Sequence, residues 1–194
     1  MIYLASKSPR RRELLRQIGV EFECVDVDVP ETPGSGEKPQ DYAVRVARAK
    51  ARAGYERLKK PEAWVLGADT VVTIDGLILG KPMERNDGLR MLTRLSGRTH
   101  TVITAVTLAG PGAELLEVSR SEVAFREISA EEQELYWQSG EPVDKAGGYA
   151  IQGLAAVFVK HLAGSYSGVV GLPLYETGKL LAARKTPAGR EQSR

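Results

Sequence analysis

The stretch from Trp64 to Leu79, WVLGADTVVTIDGLIL, decides how the chain is read. Residues 64–74 are the most apolar run in the sequence. They are rich in Val, Leu and Ile, as a buried strand requires. Asp75-Gly76 then supplies the residues that tolerate positive φ, so Leu77–Leu79 reads as the return strand of a hairpin. Asp69 stands inside this run, beside Gly67 and Ala68. A carboxylate among such neighbours is costly unless it meets a cation or faces a cleft. There it can hold a divalent metal or accept a proton from water. The alternative is a structural Asp that ties backbone amides in a turn.

Upstream, Met1–Ala5 reads as a short buried strand, followed by Ser8 as N-cap and Pro9 as first helical residue. The helix predicted over Arg10–Ile18 puts Leu14, Leu15 and Ile18 on one face, and Gly19 stops it. Phe22–Val29 has mostly strand alternation, with Cys24 expected as a small core residue. Residues 30–40 hold three Pro and two Gly and read as a long loop carrying Glu31. A helix capped by Asp41 follows, ending near Gly54. Downstream, Glu84–Ser96 is a predicted helix, Thr99–Ala109 and Leu115–Phe125 form a second hairpin, and Ser129 with Glu132 is a capping box opening a helix to Ser139. Tyr149–Val159 is apolar with a Gly interruption, and Leu172–Ala183 reads as the last helix. Strands interleaved with helices and two hairpins predict an α/β fold with a mixed twisted sheet and flanking helices.

Composition narrows the function. Lys and Arg number 27 against 25 Asp and Glu, a net charge of +2, so no bulk polybasic coat for nucleic acid is present. The single Cys excludes an intramolecular disulfide framework and a cysteine-ligated zinc site. His100 and His161 lack ligand spacing. No apolar run reaches the roughly 18 residues of a membrane span, and the start of the chain lacks the pattern of a secretory signal. These features give the expectation of a cytoplasmic protein with no membrane and no nucleic-acid partner. The domain is expected over residues 1–184, with a polar tail at 185–194.

Four further segments carry polar chemistry. Ser6-Lys7-Ser8-Pro9-Arg10-Arg11-Arg12 places hydroxyls and guanidiniums at a strand-to-helix turn, where free amides and the helix dipole favour phosphate. A solvated basic helix face is the other reading. Lys81, in Gly80-Lys81-Pro82, suits a phosphate as a point charge, and a hairpin exit explains it as well. Lys50 is a lone long cation in an Ala-rich helix, either reaching a cleft or solvated. Gln152 carries both a donor and an acceptor and can read a nucleobase edge or tie a loop.

Taken in order, these motifs resemble the Maf family of nucleoside triphosphate pyrophosphatases, also described as septum-formation inhibitors. The matching residues run from Leu4-Ala5-Ser6 and Ser8-Pro9-Arg10-Arg11 through Ala47–Ala51, Gly67–Thr70, Gly80–Pro82 and Leu95–His100. They continue through Asp144–Gly147 and Gln152-Gly153 to Val170–Pro173. The resemblance implies a fold like the inosine-triphosphate pyrophosphatases, with two lobes around a deep cleft. It implies hydrolysis of a nucleoside triphosphate to the monophosphate and pyrophosphate with a divalent cation, Mg2+ or Mn2+. It places the general base on Asp69 and substrate contacts on Ser6, Arg11, Glu31, Lys50 and Lys81. Selectivity falls on Arg10, Thr70 and Gln152, a combination that in the family goes with dTTP and UTP rather than 7-methyl-GTP. Asp69 and Glu31 are the implied metal ligands, and a homodimer is implied. Two alternatives stand beside this reading: the same chemistry on a modified nucleotide, and a nucleotide-responsive regulator of septum formation acting through a protein partner.

Overall fold

The computed structural model describes residues 1–184, and the expected tail at 185–194 lies outside the described residues. Its centre is a seven-stranded mixed sheet. The strands are β1 (Ile2–Ala5), β2 (Phe22–Cys24), β3 (Trp64–Ile74), β4 (Leu77–Leu79), β5 (Thr99–Gly110), β6 (Ala113–Phe125) and β7 (Val159–Ala163). They lie in the order β2-β1-β3-β5-β6-β7, with β4 on β3. The β1–β2 and β1–β3 pairs are parallel and the rest antiparallel. The helices are α1 (Pro9–Gln17), α2 (Pro39–Leu58), α3 (Arg85–Leu95), α4 (Ala130–Gln138), α5 (Tyr166–Val170) and α6 (Leu174–Ala183). The mixed α/β expectation holds.

The three long strands run through separate apolar clusters, and this creates a polar waist. Leu66 and Ala68 of β3 pack with Leu4, Leu15, Val106 and Leu172 at one end. Val72 and Ile74 pack with Leu92, Val102, Val123 and Phe125 at the other. Thr70 falls between the two on this face, and Asp69 lies on the opposite face, toward α2, between Val65 and Val71 of two further clusters. Packing of α2 completes the arrangement through Ala47 and Ala51. A Cβ built on Gly67 would stand 2.4 Å from the Ala47 carbonyl oxygen and 2.6 Å from the Ala51 nitrogen. Only glycine lets the helix backbone come this close to the strand.

Several local expectations are corrected. Regular pairing of β2 ends at Cys24, because its partner β1 ends at Ala5; the alternating Val25 and Val27 continue inward without a ladder. Cys24 is exposed on this edge strand rather than in the core. Ile18 is 39% exposed, since it caps α1 instead of continuing its apolar face. Helix α2 starts at Pro39, with Asp41 in its first turn rather than at the cap, and runs past Gly54 to Leu58. Gly54 is a packing glycine there: a Cβ would meet Val65 Cγ1 at 2.8 Å. The Tyr149–Val159 segment folds as turns and a short 3-10 helix at Leu154–Phe158, so Gln152 sits on a turn and not at a strand end. Helix α5 has no counterpart among the elements expected from the sequence, and α6 begins at Leu174, after Pro173. The Ser129–Glu132 capping box and both hairpins are present as read.

One buried group makes stability depend on pH. His100 is 2% exposed, lies edge-on to Phe125, and its Nε2 is 2.8 Å from the Tyr149 hydroxyl. Burial pushes its pKa down from 6.5 to about 4. The unfolded chain therefore binds more protons than the folded one below pH 6.5, and stability falls as pH drops from there toward 4. We expect a loss of roughly 2–3 kcal/mol between pH 7 and 4.5. The carboxylates held low in the folded state, Glu31, Glu37, Asp75, Glu132 and Glu134, lose their contribution chiefly below about pH 4.5, under the range measured. Urea unfolding of wild type and His100→Phe across this range is the measurement. An equal slope in both would remove His100 as the cause.

Candidate active site

The polar waist opens into a cleft of about 860 Å³. Ser6, Arg10, Arg11, Glu31, Lys50, Asp69, Thr70, Lys81 and Gln152 all line it. Residues from β1, α1, the loop before α2, α2, β3, the turn after β4 and the Gln152 turn thus meet around one space.

The floor is built from β3 and α2. Asp69 is 7% exposed and Lys50 8%. Because the helix lies so close at Gly67, the Lys50 side chain reaches across it and donates from Nζ to Asp69 Oδ1 at 2.8 Å. The same Nζ is 2.6 Å from Glu31 Oε1. Lys50 is therefore not a solvated helix lysine. It is the counter-charge that makes a carboxylate tolerable in an apolar strand. Lys81, 60% exposed at the rim, approaches Glu31 Oε2 at 3.5 Å. Burial raises the Glu31 pKa, but the Lys50 hydrogen bond and the Lys50 and Lys81 charges outweigh it and leave the carboxyl below its ordinary value. The Glu31 loop is pinned by the Tyr42 hydroxyl, which donates to the Glu31 carbonyl at 2.8 Å. Burial, with the Asp69 and Glu31 charges, pushes the Tyr42 pKa up to about 12, so the phenol stays a donor.

The opposite wall is the start of α1. Ser8 caps the helix and accepts from the Arg11 amide, while the Ser8 amide donates to Ser6 Oγ at 3.2 Å. Arg11 is buried. Its Nε donates to the Gly171 carbonyl at 2.8 Å, one Nη to Ser6 Oγ at 3.4 Å and the other to Thr70 Oγ1 at 3.2 Å. A guanidinium has five N–H donors, so two are left for a ligand. Desolvation lowers its pKa against the opposing pull of Asp69 and Glu31. Arg12 points elsewhere, donating to the Lys7 carbonyl. The Arg cluster is thus split: Arg10 and Arg11 line the cleft and Arg12 braces the turn.

The Gln152 turn is held by Glu141. Its carboxylate accepts from the Leu154 and Ala155 amides at 2.8 and 3.2 Å and from the Tyr136 hydroxyl at 2.8 Å. Gln152 itself is exposed toward the cleft and free to meet a ligand. Tyr42, Glu141 and the Gly171 carbonyl are contributors that the sequence reading missed. Each acts through a backbone contact that has no pattern in the chain.

Among the described residues, no three His, Cys, Asp or Glu side chains converge on one point. Asp69 and Glu31 are joined through Lys50 instead. Magnesium-type sites commonly use one or two carboxylates and complete the shell with substrate phosphates and water. Two hard-oxygen donors beside a basic wall would suit a cation that arrives with a polyphosphate.

Known proteins resemble this chain over nearly its whole length. The family model described as Maf-like protein matches residues 1–184. A protein of Alkalilimnicola ehrlichii named dTTP/UTP pyrophosphatase is 56% identical over 184 residues, covering 93% of this chain and 91% of its own length. Relatives of the same name from Dechloromonas aromatica and Saccharophagus degradans are 53% and 52% identical. They cover 93% and 96% of this chain, and 95% and 90% of their own. No helix among the described residues is long and apolar enough to cross a membrane.

Proposed function

The chain belongs to the Maf family, and from that premise we propose that it is a hydrolase that cleaves dTTP and UTP to the nucleoside monophosphate and pyrophosphate. The observation that carries the mechanism is the buried Asp69 carboxylate on the central strand, held by Lys50 beneath a cleft with a basic wall. Relatives more than half identical over nearly the whole chain bear the name of that activity.

In this reading the triphosphate lies along the start of α1. Ser6, the free donors of Arg11, and Lys81 hold its oxygens and oppose the charge that develops on the leaving pyrophosphate. Asp69 accepts a proton from a water as its oxygen bonds to the α-phosphorus, and the bond from that phosphorus to the bridging oxygen breaks. Lys50 keeps the Asp69 carboxylate aimed at the cleft. A divalent cation, Mg2+ or Mn2+, held through Asp69 and Glu31, would neutralise phosphate charge and lower the pKa of the attacking water. Base selectivity rests on Arg10, Thr70 and Gln152. The Gln152 amide offers a donor to a pyrimidine carbonyl and an acceptor to N3–H, a match for both uracil and thymine. The expected homodimer is supported by the family resemblance, and sedimentation of the purified chain tests it.

The test is kcat/KM for dTTP, UTP, CTP, GTP and 7-methyl-GTP, with and without Mg2+ or Mn2+, with products separated by ion exchange. dTTP and UTP should differ by at most roughly 1–3 kcal/mol in transition-state binding, because only a methyl distinguishes them. Purines should be rejected more strongly, since a mismatched base leaves buried polar groups unpaired. Release of orthophosphate instead of pyrophosphate, or a preference for 7-methyl-GTP, would overturn the assignment.

A further inference from the structure

Thr104 lies at the middle of β5, directly opposite Thr70 in the antiparallel register, and is 1% exposed. Its hydroxyl is 2.7 Å from the Gly168 carbonyl oxygen of α5 and 3.0 Å from Thr70 Oγ1. A threonine hydroxyl has one proton. The carbonyl can only accept, so it takes the Thr104 proton, and Thr70 must then be the donor across the 3.0 Å contact. Arg11 donates to Thr70 Oγ1 in turn. The proton order is therefore fixed along one chain, from Arg11 through Thr70 and Thr104 to Gly168. A second tie runs in parallel, from Arg11 Nε to the Gly171 carbonyl three residues further on. One short segment, Gly168–Gly171, thus anchors the guanidinium both directly and through two hydroxyls.

We propose that Thr104 is a positioning residue for the reaction: its buried hydroxyl fixes Thr70, and Thr70 fixes the Arg11 guanidinium against the phosphate chain. This rests on the placement of Arg11 at the triphosphate given above. One consequence concerns Thr70. Its single proton points inward to Thr104, so toward the cleft Thr70 offers an acceptor and no donor. Its part in substrate choice is to accept from the substrate and to hold Arg11. Relays of this kind polarise along their length, so removing the buried end weakens the contact nearest the ligand.

The test uses Thr104→Val, which keeps the shape and removes the hydroxyl, and Thr104→Ser, which keeps the hydroxyl. Two readouts are taken on the whole chain. The first is the side-chain Nε–H resonance of Arg11, assigned by its loss in Arg11→Lys. It should shift or broaden in Thr104→Val and return in Thr104→Ser. The second is inhibition by inorganic pyrophosphate, which should weaken roughly 3–10-fold in Thr104→Val, the worth of one net hydrogen bond. KM for dTTP should rise with it more than kcat falls. In an Arg11→Lys background Thr104→Val should add little, because the two act as one unit, whereas a merely structural role would add in full. If Thr104→Val does not fold, Thr104→Ala carries the same measurements. An Arg11 resonance at its wild-type position in the hydroxyl-free variant overturns the proposal. Full pyrophosphate affinity in Arg11→Lys would instead sink the placement of Arg11, and the resonance would still decide the role of Thr104.

Discussion

Replacing Asp69 with Asn is expected to reduce dTTP turnover by roughly 10²–10⁴-fold, the range a positioned general base commonly contributes. The change keeps the shape of the side chain. Its amide oxygen can still accept from Lys50, which stands 2.8 Å from Oδ1. Lys50 also keeps Glu31 as a counter-charge at 2.6 Å, so no buried cation is stranded. The fold and much of the nucleotide affinity should therefore survive, and only the capacity to take a proton from water is lost. Single-turnover hydrolysis of dTTP measures the chemical step, and calorimetry of a non-hydrolysable analogue measures binding. A variant that retains more than a few per cent of the wild-type rate would show that Asp69 is not the base.

The second large effect is on stability. Lys50→Met leaves the Asp69 carboxylate, 7% exposed, without its partner. Removing one member of a buried ion pair typically costs roughly 3–5 kcal/mol, because the surviving charge keeps its desolvation penalty. The double variant Lys50→Met with Asp69→Asn should recover most of that loss, since neither charge is then left unpaired. Urea unfolding of the wild type, the two single variants and the double variant forms a complete cycle. Additive losses would mean that the pair does not stabilise Asp69, and the account of Lys50 given above would fail. Turnover should be absent in the double variant regardless of its stability.

How much of this was legible in the chain depends on where each contact is made. The central strand, both hairpins and the capping box at Ser129 rest on neighbours in sequence, and periodicity and turn residues displayed them. So did the oddity of Asp69, a carboxylate in an apolar run. The site residues could be named through a family resemblance carried by several short motifs in order. Their convergence on one cleft is a property of the fold.

The errors share a physical cause. Cys24 and Ile18 follow an apolar pattern, but exposure is set by what lies on the other side. An edge strand and a helix end have nothing there. Gly54 looked like a helix stop because glycine often is one, and the strand packed against α2 decided otherwise. The lone lysine in an Ala-rich helix illustrates the same limit. Nothing near Lys50 in sequence distinguishes a solvated lysine from a buried one; Glu31 and Asp69, each 19 residues away, decide it.

By itself, then, the sequence determined the mixed α/β class, the polar interruption of the central strand and the family, because those are written in residue type and local order. Only the tertiary structure decided which cation compensates Asp69, which donors of Arg11 remain free, and that Thr70 meets the buried hydroxyl of Thr104. Those outcomes depend on distances between segments far apart in the chain. They are set by how closely α2 can lie on β3 at Gly67 and by where the Gly168–Gly171 carbonyls come to rest.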